Sequence, residues 1–272
     1  MMELFSLSGK VVVITGAAGL LGRNHVLAVV AAGGIPVLID IDKHRLQVVA
    51  DEVATTYGVT VEYFLVDITN EAQVKSCCES VVKEFGHIDG LVNNAANNPK
   101  IESAGINEQS RLENFSLQNW DADISVGLTG AFLCTKYFGA AIASQGGSIV
   151  NISSDLGVIA PDQRIYQQPG IADSQQPVKP VTYSVVKTGL IGLSRYTATY
   201  WAKQGVRCNA LCPGGVENLQ DQSFVSKLSS LIPLSRMAHQ DEYQGSVIFL
   251  LSDASSYMTG SVLIVDGGRT AW

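Results

Sequence analysis

Short runs of branched apolar residues alternate with longer amphipathic stretches along most of the chain. The first run, at 10–15, reads KVVVIT, as expected of a parallel strand buried on both faces. At 43–57, apolar residues recur every three or four positions, which is typical of a helix packed on one side. The pattern predicts strands at 10–15, 36–41, 61–66, 90–93, 148–152, 206–211 and 261–265. It predicts helices at 20–32, 43–57, 71–85, within 117–144, at 181–203 and at 241–251.

This alternation of strand and helix predicts an α/β fold, with one parallel sheet and helices on both of its faces. No linker, repeat or low-complexity tract interrupts the pattern. We therefore expect 1–272 to form a single domain, although 272 residues would also accommodate two.

Two stretches, 97–116 and 155–180, lack the periodic pattern and are rich in polar residues and proline. Each follows a predicted strand, so both should lie at the carboxyl edge of the sheet, where α/β proteins bind ligands. Long loops in a compact domain tend to be functional. Together with 216–240, they are expected to form the substrate side of the molecule.

Composition excludes several classes of protein. Apolar residues make up 46% of the chain and charged residues 16%, so a disordered chain is excluded. The net charge is −7 and no basic patch is visible, which argues against a nucleic-acid partner. The scarcity of charge suggests that partner subunits cover part of the surface.

The same sequence predicts a cytoplasmic protein. Its longest apolar stretch, 26–39, contains two glycines and a proline and is too short to cross a bilayer. The first residues have no signal-peptide pattern. Five cysteines without a regular spacing indicate reduced thiols, and no set of Cys and His has the spacing of a metal site.

A glycine-rich turn, TGAAGLLG at 15–22, joins the first strand to the first helix. Glycines at Gly16, Gly19 and Gly22 allow a tight turn, and the backbone of Leu20 and Leu21 opens the helix. A pyrophosphate can bind at such a helix N-terminus. This predicts a nucleotide cofactor, although such turns also occur for packing alone.

The second strand ends at Asp40, 18 residues after Gly22. A carboxylate there can accept hydrogen bonds from the adenosine ribose and would repel a 2′-phosphate, which favours NAD over NADP. Asp42 is an alternative candidate, but its position before a helical pattern is typical of an N-cap.

Candidate catalytic residues lie in the middle of the chain. Tyr183 and Lys187 are four residues apart, on one helix face. A tyrosine with an ammonium group nearby can exchange a proton with a substrate alcohol or carbonyl. Ser154 follows the fifth strand and is expected in the same pocket.

Together these residues resemble the short-chain dehydrogenase/reductase family over nearly the whole chain. The resemblance rests on the glycine turn, on Asp67, on 93–96 (NNAA), on Ser154, Tyr183 and Lys187, on Pro213 and Gly214, and on the tail from Tyr257 to Gly268. It implies a Rossmann fold with strand order 3-2-1-4-5-6-7, a dimer or tetramer, and hydride transfer between a nicotinamide and an alcohol or carbonyl carbon.

The resemblance also implies the residue roles. Tyr183 would be the acid/base, Lys187 would lower its pKa and hold the nicotinamide ribose, and Ser154 would orient the substrate oxygen. The cofactor would be lined by Gly16, Gly19, Leu20, Leu21, Asp40, Asp67, Ile68, Asn94, Ala95, Tyr183, Lys187, Pro213, Gly214 and Val216.

The chain departs from the family pattern in three places. The G-x-x-G-x-x-G spacing is typical of the extended, sugar-nucleotide branch of the family. Gly127 stands where the family usually has an Asn that helps to hold a relay water. The interval from Ser154 to Tyr183 is 29 residues, longer than in most relatives.

The long interval, the approach Pro180–Ser184 and the segment 213–216 also resemble oxidoreductases of bacterial flagellin-glycan and surface-polysaccharide pathways. This implies a polar, sugar-like substrate. Candidate binders of its hydroxyl or phosphate groups are Asn97, Lys100, Gln163, Arg164 and Asn218.

The sequence therefore predicts an NAD-dependent alcohol/carbonyl oxidoreductase that acts on a polar, carbohydrate-like molecule as a homotetramer or homodimer. Two alternatives remain. The glycine spacing allows an epimerase or dehydratase that retains its NAD, and Gly127 allows a catalytically idle NAD-binding protein.

Overall fold

Seven parallel strands form one sheet in the order β3-β2-β1-β4-β5-β6-β7 in the computed structural model, which describes residues 2–97 and 108–272. The strands are β1 Val11–Thr15, β2 Ile35–Asp40, β3 Glu62–Leu65, β4 Gly90–Asn93, β5 Gly147–Ile152, β6 Val206–Pro213 and β7 Val262–Val265. Every strand pairing is parallel. The predicted Rossmann strand order is confirmed.

Within residues 2–97 and 108–272, seven helices join these strands. They are α1 Leu20–Ala31, α2 Lys43–Tyr57, α3 Glu71–Phe85, α4 at 117–142, α5 Val181–Tyr200, α6 Gln222–Ser230 and α7 Gln244–Leu251. Within α4, π-helical turns occupy Ser125–Gly130 and Thr135–Gly139. Short 3-10 turns lie at Met2–Phe5, Glu108–Ser110, Leu112–Asn114, Asp155–Gly157, Gln163–Tyr166, Asp173–Gln175, Ala202–Gln204, Asp253–Ser255 and Arg269–Ala271.

The five inner strands of the sheet, β2, β1, β4, β5 and β6, are buried at nearly every position, whereas the edge strands β3 and β7 are partly exposed. In β1, Val11 and Val13 pack in the core between the sheet and the α3–α4 side. Val12 and Ile14 alternate with them and pack against α1 and α7 on the other face. This two-sided burial explains why the strands appear in the sequence as continuous apolar runs.

Polar residues fix the helix starts. The Asp42 carboxylate accepts a hydrogen bond from the backbone N–H of Arg45, 3.0 Å away, and so caps α2. Asn70 caps α3 in the same way, through the N–H of Gln73. The N-cap role considered for Asp42 is therefore confirmed.

Some predicted boundaries were wrong. The helix predicted at 181–203 ends at Tyr200 and is followed by a separate 3-10 turn, while the one predicted at 241–251 begins at Gln244. The sequence pattern did not predict α6, which is short, polar and capped by Asp221. Across 2–97 and 108–272, no helix is both long and apolar enough to cross a bilayer.

Candidate active site

A cleft of about 630 Å³ opens at the carboxyl edge of the sheet, a volume typical of a site for a small molecule. Its lining includes all the residues that the sequence predicted for cofactor and catalysis: Gly16, Gly19, Leu20, Leu21, Asp40, Asp67, Ile68, Asn94, Ala95, Ser154, Tyr183, Lys187, Pro213, Gly214 and Val216. Residues from both halves of the chain thus meet in one cleft.

The glycine turn is closely packed against the start of α1. Gly16 has a φ of +61°, and a Cβ on Gly22 would lie only 1.9 Å from the carbonyl oxygen of Gly16. Neither position accepts a side chain without displacing the backbone. The turn therefore presents bare backbone to the cleft where α1 begins.

Asn94 holds this turn against the end of β4. Its Nδ2 donates to the carbonyl oxygens of Thr15 and Gly16, at 3.1 and 3.0 Å. In return, the Thr15 hydroxyl accepts from the backbone N–H groups of Asn94 and Ala95. These bonds fix the position of the glycine turn relative to Ala95, which lines the middle of the cleft.

Asp40 stands at the end of β2 beside the glycine turn. One of its carboxylate oxygens accepts the N–H of Ala18, 3.0 Å away, and the other accepts those of Ile41 and Asp42. Asp42, the alternative candidate from the sequence, borders the same end of the cleft and forms an exposed ion pair with Arg45, a lining residue that the sequence did not predict.

Asp67 and Ile68 lie just after β3, the strand that pairs with the end of β2 at Asp40. The Asp67 carboxylate accepts from the backbone and the hydroxyl of Thr69. Ile68 is buried, and a Cβ on Gly130 of α4 would lie 2.6 Å from its Cδ1. The small residue on α4 thus makes room for this side of the cleft.

Ser154 follows β5 and is held by its neighbours. Its hydroxyl donates to Asp155 Oδ1 at 2.7 Å and accepts the N–H of Leu156 at 3.1 Å. The other oxygen of Asp155 accepts from Arg269 Nη1, also at 2.7 Å, and both of these side chains are buried. The sequence analysis identified neither Asp155 nor Arg269, because no motif links them.

Tyr183 and Lys187 project into the cleft from the first turns of α5. Lys187 is buried and donates to the carbonyl oxygen of Ile152 at 2.9 Å. Burial, with a smaller contribution from the charge of Lys179, lowers the pKa of Lys187 to about 8. Burial raises the pKa of Tyr183, a hydrogen bond with Ser154 lowers it, and the charge of Asp155 raises it.

A second lysine, Lys179, lies beside Tyr183. Its Nζ is 3.9 Å from the centroid of the Tyr183 ring, closer than Lys187 Nζ at 5.7 Å. Sequence reasoning missed Lys179 because it lies in the aperiodic stretch before α5, in no recognised motif. Its spacing of four residues from Tyr183 was the available signal.

Gly127 lies in the first π-helical turn of α4, against α5. A Cβ at this position would lie 2.5 Å from Cγ1 of Val186. An Asn at this position, which the family resemblance implies, would require Val186 to move. The absence of a side chain at Gly127 thus leaves the space that Val186 of α5 occupies.

The substrate side is less polar than its sequence suggested. The residues of 155–180 and 216–240 that line the cleft include an apolar group: Ile165, Tyr166, Phe224, Leu228 and Met237. The polar residues of these segments mostly face solvent or each other.

Of the five candidate binders, Asn97 and Asn218 line the cleft. Arg164 does not; it pairs with Asp162 and its side chain is 81% exposed. Gln163 accepts the backbone N–H of Lys179 outside the cleft. Both predictions were wrong, because local hydrogen bonds hold these side chains. Lys100 lies outside the described residues.

Comparison with known families identifies the fold and chemistry. The short chain dehydrogenase family matches residues 10–167, which is more than half of the chain. The chain belongs to the short-chain dehydrogenase/reductase family. A second match, to the family described as Enoyl-(Acyl carrier protein) reductase, spans residues 171–270. This short-chain dehydrogenase/reductase is accordingly an oxidoreductase that acts on CH–OH groups with NAD(P).

Curated relatives cover the chain almost completely. It is 31% identical to D-threitol dehydrogenase of Mycolicibacterium smegmatis, over 98% of this chain and 95% of the relative. It is 34% identical to 3-oxoacyl-[acyl-carrier-protein] reductase FabG of Thermotoga maritima, over 96% and 98%. Relatives of similar identity thus carry names of different substrates.

Solved structures that resemble this chain also differ in substrate and in bound dinucleotide. A gluconate 5-dehydrogenase from Burkholderia cenocepacia J2315, in complex with NADP and tartrate, matches with a TM-score of 0.86 and 26% identity, covering 100% of this chain and 99% of its own. An NAD⁺-bound xylitol dehydrogenase matches with a TM-score of 0.83 and 26% identity, covering 96% and 99%. Family membership is thus compatible with either dinucleotide.

Proposed function

We propose that this enzyme transfers a hydride between NAD and a secondary alcohol or carbonyl carbon of a polar, sugar-like substrate. The observation that carries the proposal is that Ser154, Tyr183 and Lys187 line the same cleft as the glycine turn. A proton-transfer group and a dinucleotide site in one cleft are what alcohol oxidation requires.

Tyr183 is the proposed acid/base. During oxidation its oxygen takes the proton of the substrate hydroxyl, and during reduction it returns a proton to the carbonyl oxygen. The cofactor, when bound, accepts or supplies the hydride. Lys187 favours the phenolate form of Tyr183 through its positive charge.

Ser154 orients the substrate oxygen. Its single proton is donated to Asp155 and one of its lone pairs accepts the N–H of Leu156. Ser154 also forms a hydrogen bond with Tyr183. A substrate hydroxyl that replaces this bond would lie between Ser154 and the acid/base.

The cofactor half of the cleft favours NAD over NADP. Asp40 presents a carboxylate beside the glycine turn, and a ribose 2′-phosphate would be repelled there. Gly16, Gly19, Leu20 and Leu21 would contact the pyrophosphate. Asp67 and Ile68 would contact the adenine, and Asn94, Ala95, Pro213, Gly214 and Val216 would line the rest of the cofactor.

The substrate class is a sugar alcohol or a related polyhydroxy compound. Relatives named for threitol, mannitol and xylitol support this class. Asn97 and Asn218 offer hydrogen bonds to hydroxyl groups, while the C–H faces of such a molecule would pack on Ile165 and Met237. The narrower resemblance to enzymes of flagellin-glycan pathways remains a hypothesis.

We treat 1–272 as a single dinucleotide-binding domain, with 97–116, 155–180 and 216–240 forming the substrate side. A cytoplasmic homotetramer or homodimer fits the exposed apolar side chains on α4 and α5. Phe132, Tyr196 and Tyr200 are each at least half exposed and would be covered by a partner subunit. We propose no metal, membrane or nucleic-acid partner.

The experiment is a spectrophotometric screen of NAD reduction with sugar alcohols and aldonates. Turnover is expected with at least one of them, and Tyr183→Phe should lower it by about 100-fold or more while cofactor binding is kept. Tyr257→Phe, a fully exposed tyrosine, serves as the control. Retained turnover in Tyr183→Phe would contradict the proposal, and a tightly held NAD without net reduction would favour an epimerase.

A further inference from the structure

We propose that Lys179 is a positioning residue for Tyr183, an ammonium group above the ring that stabilises the phenolate needed for proton transfer. The inference rests on the proposed role of Tyr183 and adds to the site a group that Tyr-x-x-x-Lys does not include.

The geometry carries the proposal. Lys179 Nζ lies 3.9 Å from the ring centroid of Tyr183, well inside the range of a cation–π contact. Lys187 Nζ is 1.8 Å farther from that centroid, at 5.7 Å, and donates to a backbone carbonyl. Lys179, which does not belong to the Tyr-x-x-x-Lys motif, is therefore nearer to the ring than Lys187 is.

The backbone around Lys179 is fixed by hydrogen bonds from the long loop before α5. The N–H of Lys179 donates to Gln163 Oε1 at 2.8 Å, and that of Val178 donates to Ser110 Oγ at 3.1 Å. Pro180 follows as the N-cap of α5. The long segment between Ser154 and Tyr183 thus places Lys179 beside the proposed acid/base.

Charges around the pair favour a cationic Lys179. Burial lowers the pKa of Lys179 to about 8, while Asp155 and Asp123 raise it, so the ammonium form is present at neutral pH. A phenolate on Tyr183 would raise this pKa further. Among the residues that the structure describes, Asp155 and Asp123 act on Lys179, and Asp155, Tyr166 and Lys187 lie near Tyr183. Arg269 acts on Tyr166, and Cys212 acts on Lys187.

The two carboxylates among these groups have partners of their own. Asp155 is paired with Arg269, and Asp123 accepts a hydrogen bond from Thr182. Burial raises the pKa of Tyr166, so that its phenol stays neutral. Two ammonium groups therefore lie near the ring of Tyr183, with their Nζ atoms 3.9 and 5.7 Å from its centroid.

The test measures the ionisation of Tyr183 directly, without a substrate. Phenolate absorbance is titrated in the enzyme and in Tyr183→Phe, and the difference gives the midpoint for Tyr183. The same pair of titrations is made in a Lys179→Met background. We expect the midpoint to rise by about one pH unit when the charge is removed. Lys179→Arg should return it to the original value.

Lys227→Met is the matched control. Lys227 lies on α6 beside the same loop and donates to the carbonyl of Gln167, but its charge is exposed and does not face Tyr183. Its removal should leave the midpoint unchanged. If Lys179→Met fails to fold, Lys179→Gln replaces it in the same comparison. Equal midpoints with and without the charge at 179 would overturn the inference.

A second readout separates this inference from the proposed function. With an alcohol that the enzyme oxidises, the apparent pKa of the acidic limb of kcat/KM against pH should rise in Lys179→Met. It should return to the original value in Lys179→Arg. Turnover with an unshifted midpoint would overturn the role of Lys179 alone. A shifted midpoint without turnover of any alcohol would overturn the proposed function and leave the role of Lys179 standing.

Discussion

Asp155 and Arg269 form an ion pair beneath the candidate active site, with Oδ2 of the carboxylate 2.7 Å from Nη1 of the guanidinium. The side chains are only 4% and 6% exposed. Each of these buried charges compensates the other, so removal of one would leave the other buried without a counter-charge and would strongly destabilise the protein. Because Asp155 also accepts the hydroxyl of Ser154, the pair holds a proposed catalytic group in place.

Breaking this pair should destabilise the protein strongly. Arg269→Met leaves the Asp155 carboxylate buried without its cation, and we expect the free energy of unfolding to fall by about 3–5 kcal/mol. Asp155→Asn combined with Arg269→Met should lose less than the sum of the single changes. Urea denaturation measures both quantities.

The exposed pair of Arg236 and Glu242 provides the comparison. Arg236→Met removes a similar set of hydrogen bonds at the surface, where water replaces them, and should change the urea midpoint little. A loss for Arg269→Met no larger than that for Arg236→Met would show that burial of the pair has no energetic consequence.

Gly127 and Val186 should behave as a coupled pair. A Cβ at 127 would lie 2.5 Å from Cγ1 of Val186, so Gly127→Ala is expected to destabilise the protein by about 1–3 kcal/mol. In a Val186→Ala background the same change should be better tolerated, because the obstructing methyl is gone. A double-mutant cycle of thermal or urea unfolding measures the coupling.

Gly192 on the same helix, α5, supplies the control, since a Cβ there would meet nothing within 4 Å. Gly192→Ala should be neutral or stabilise the protein by up to about 1 kcal/mol. Additive effects of the changes at 127 and 186 would mean that the two side chains do not compete for one space.

Cofactor preference should depend on the charge of Asp40. Asp40→Asn keeps an acceptor for the N–H of Ala18 but removes the carboxylate that would repel a 2′-phosphate. We expect the affinity for NADP relative to NAD to rise about tenfold, which is about 1.4 kcal/mol. Calorimetric titration with each dinucleotide measures this ratio. Asp42→Asn keeps the cap of α2 and should leave the ratio unchanged; the reverse result would assign the role to Asp42.

Stability should fall on acidification through His25. Burial lowers the pKa of this imidazole to about 4 from 6.5, opposed by the side chain of Asn94. The unfolded chain therefore binds a proton between pH 6.5 and about 4 that the folded protein excludes. The free energy of unfolding should drop by about 3 kcal/mol across this window as the pH is lowered.

Urea denaturation at several pH values checks this slope. His25→Gln should remove that part of the pH dependence, whatever its effect at neutral pH. His44→Gln, at an exposed position on α2, should leave it intact. An identical pH dependence in His25→Gln and the unmodified enzyme would assign the slope to other groups.

The parallel sheet followed from the sequence because most strands are apolar runs joined by helical segments, whereas the strand order followed from the family resemblance. The lining residues of the cleft also followed, since Gly16, Asp40, Tyr183 and Lys187 lie at strand ends or helix starts that topology brings to one edge. The sequence did not predict α6, because its nine residues are mostly polar and its hydrophobic side chains pack in a small cluster with Ile165, Ile232 and Met237, outside the two main cores.

The site residues that the sequence did not predict are brought together by contacts between residues far apart along the chain. Asp155, Lys179 and Arg269 lie in stretches without periodicity, and local patterns do not reveal a partner far along the chain. Arg164 and Gln163 were predicted to bind substrate, but each forms a hydrogen bond with another residue of the same loop instead. A polar residue in a polar loop can bind its own neighbours, and only the backbone course decides which way it points.

The separation of Asp155 from Arg269 also bears on how the protein is made. A ribosome adds the arginine 114 residues after the aspartate, when the glycine turn and all seven strands have already been synthesised. Until then the nascent chain has a carboxylate in the region that becomes the cleft, without its cation. Cofactor binding should consequently appear in synthesis only once the segment bearing Arg269 has emerged, and premature release upstream of it should yield chains marked for degradation.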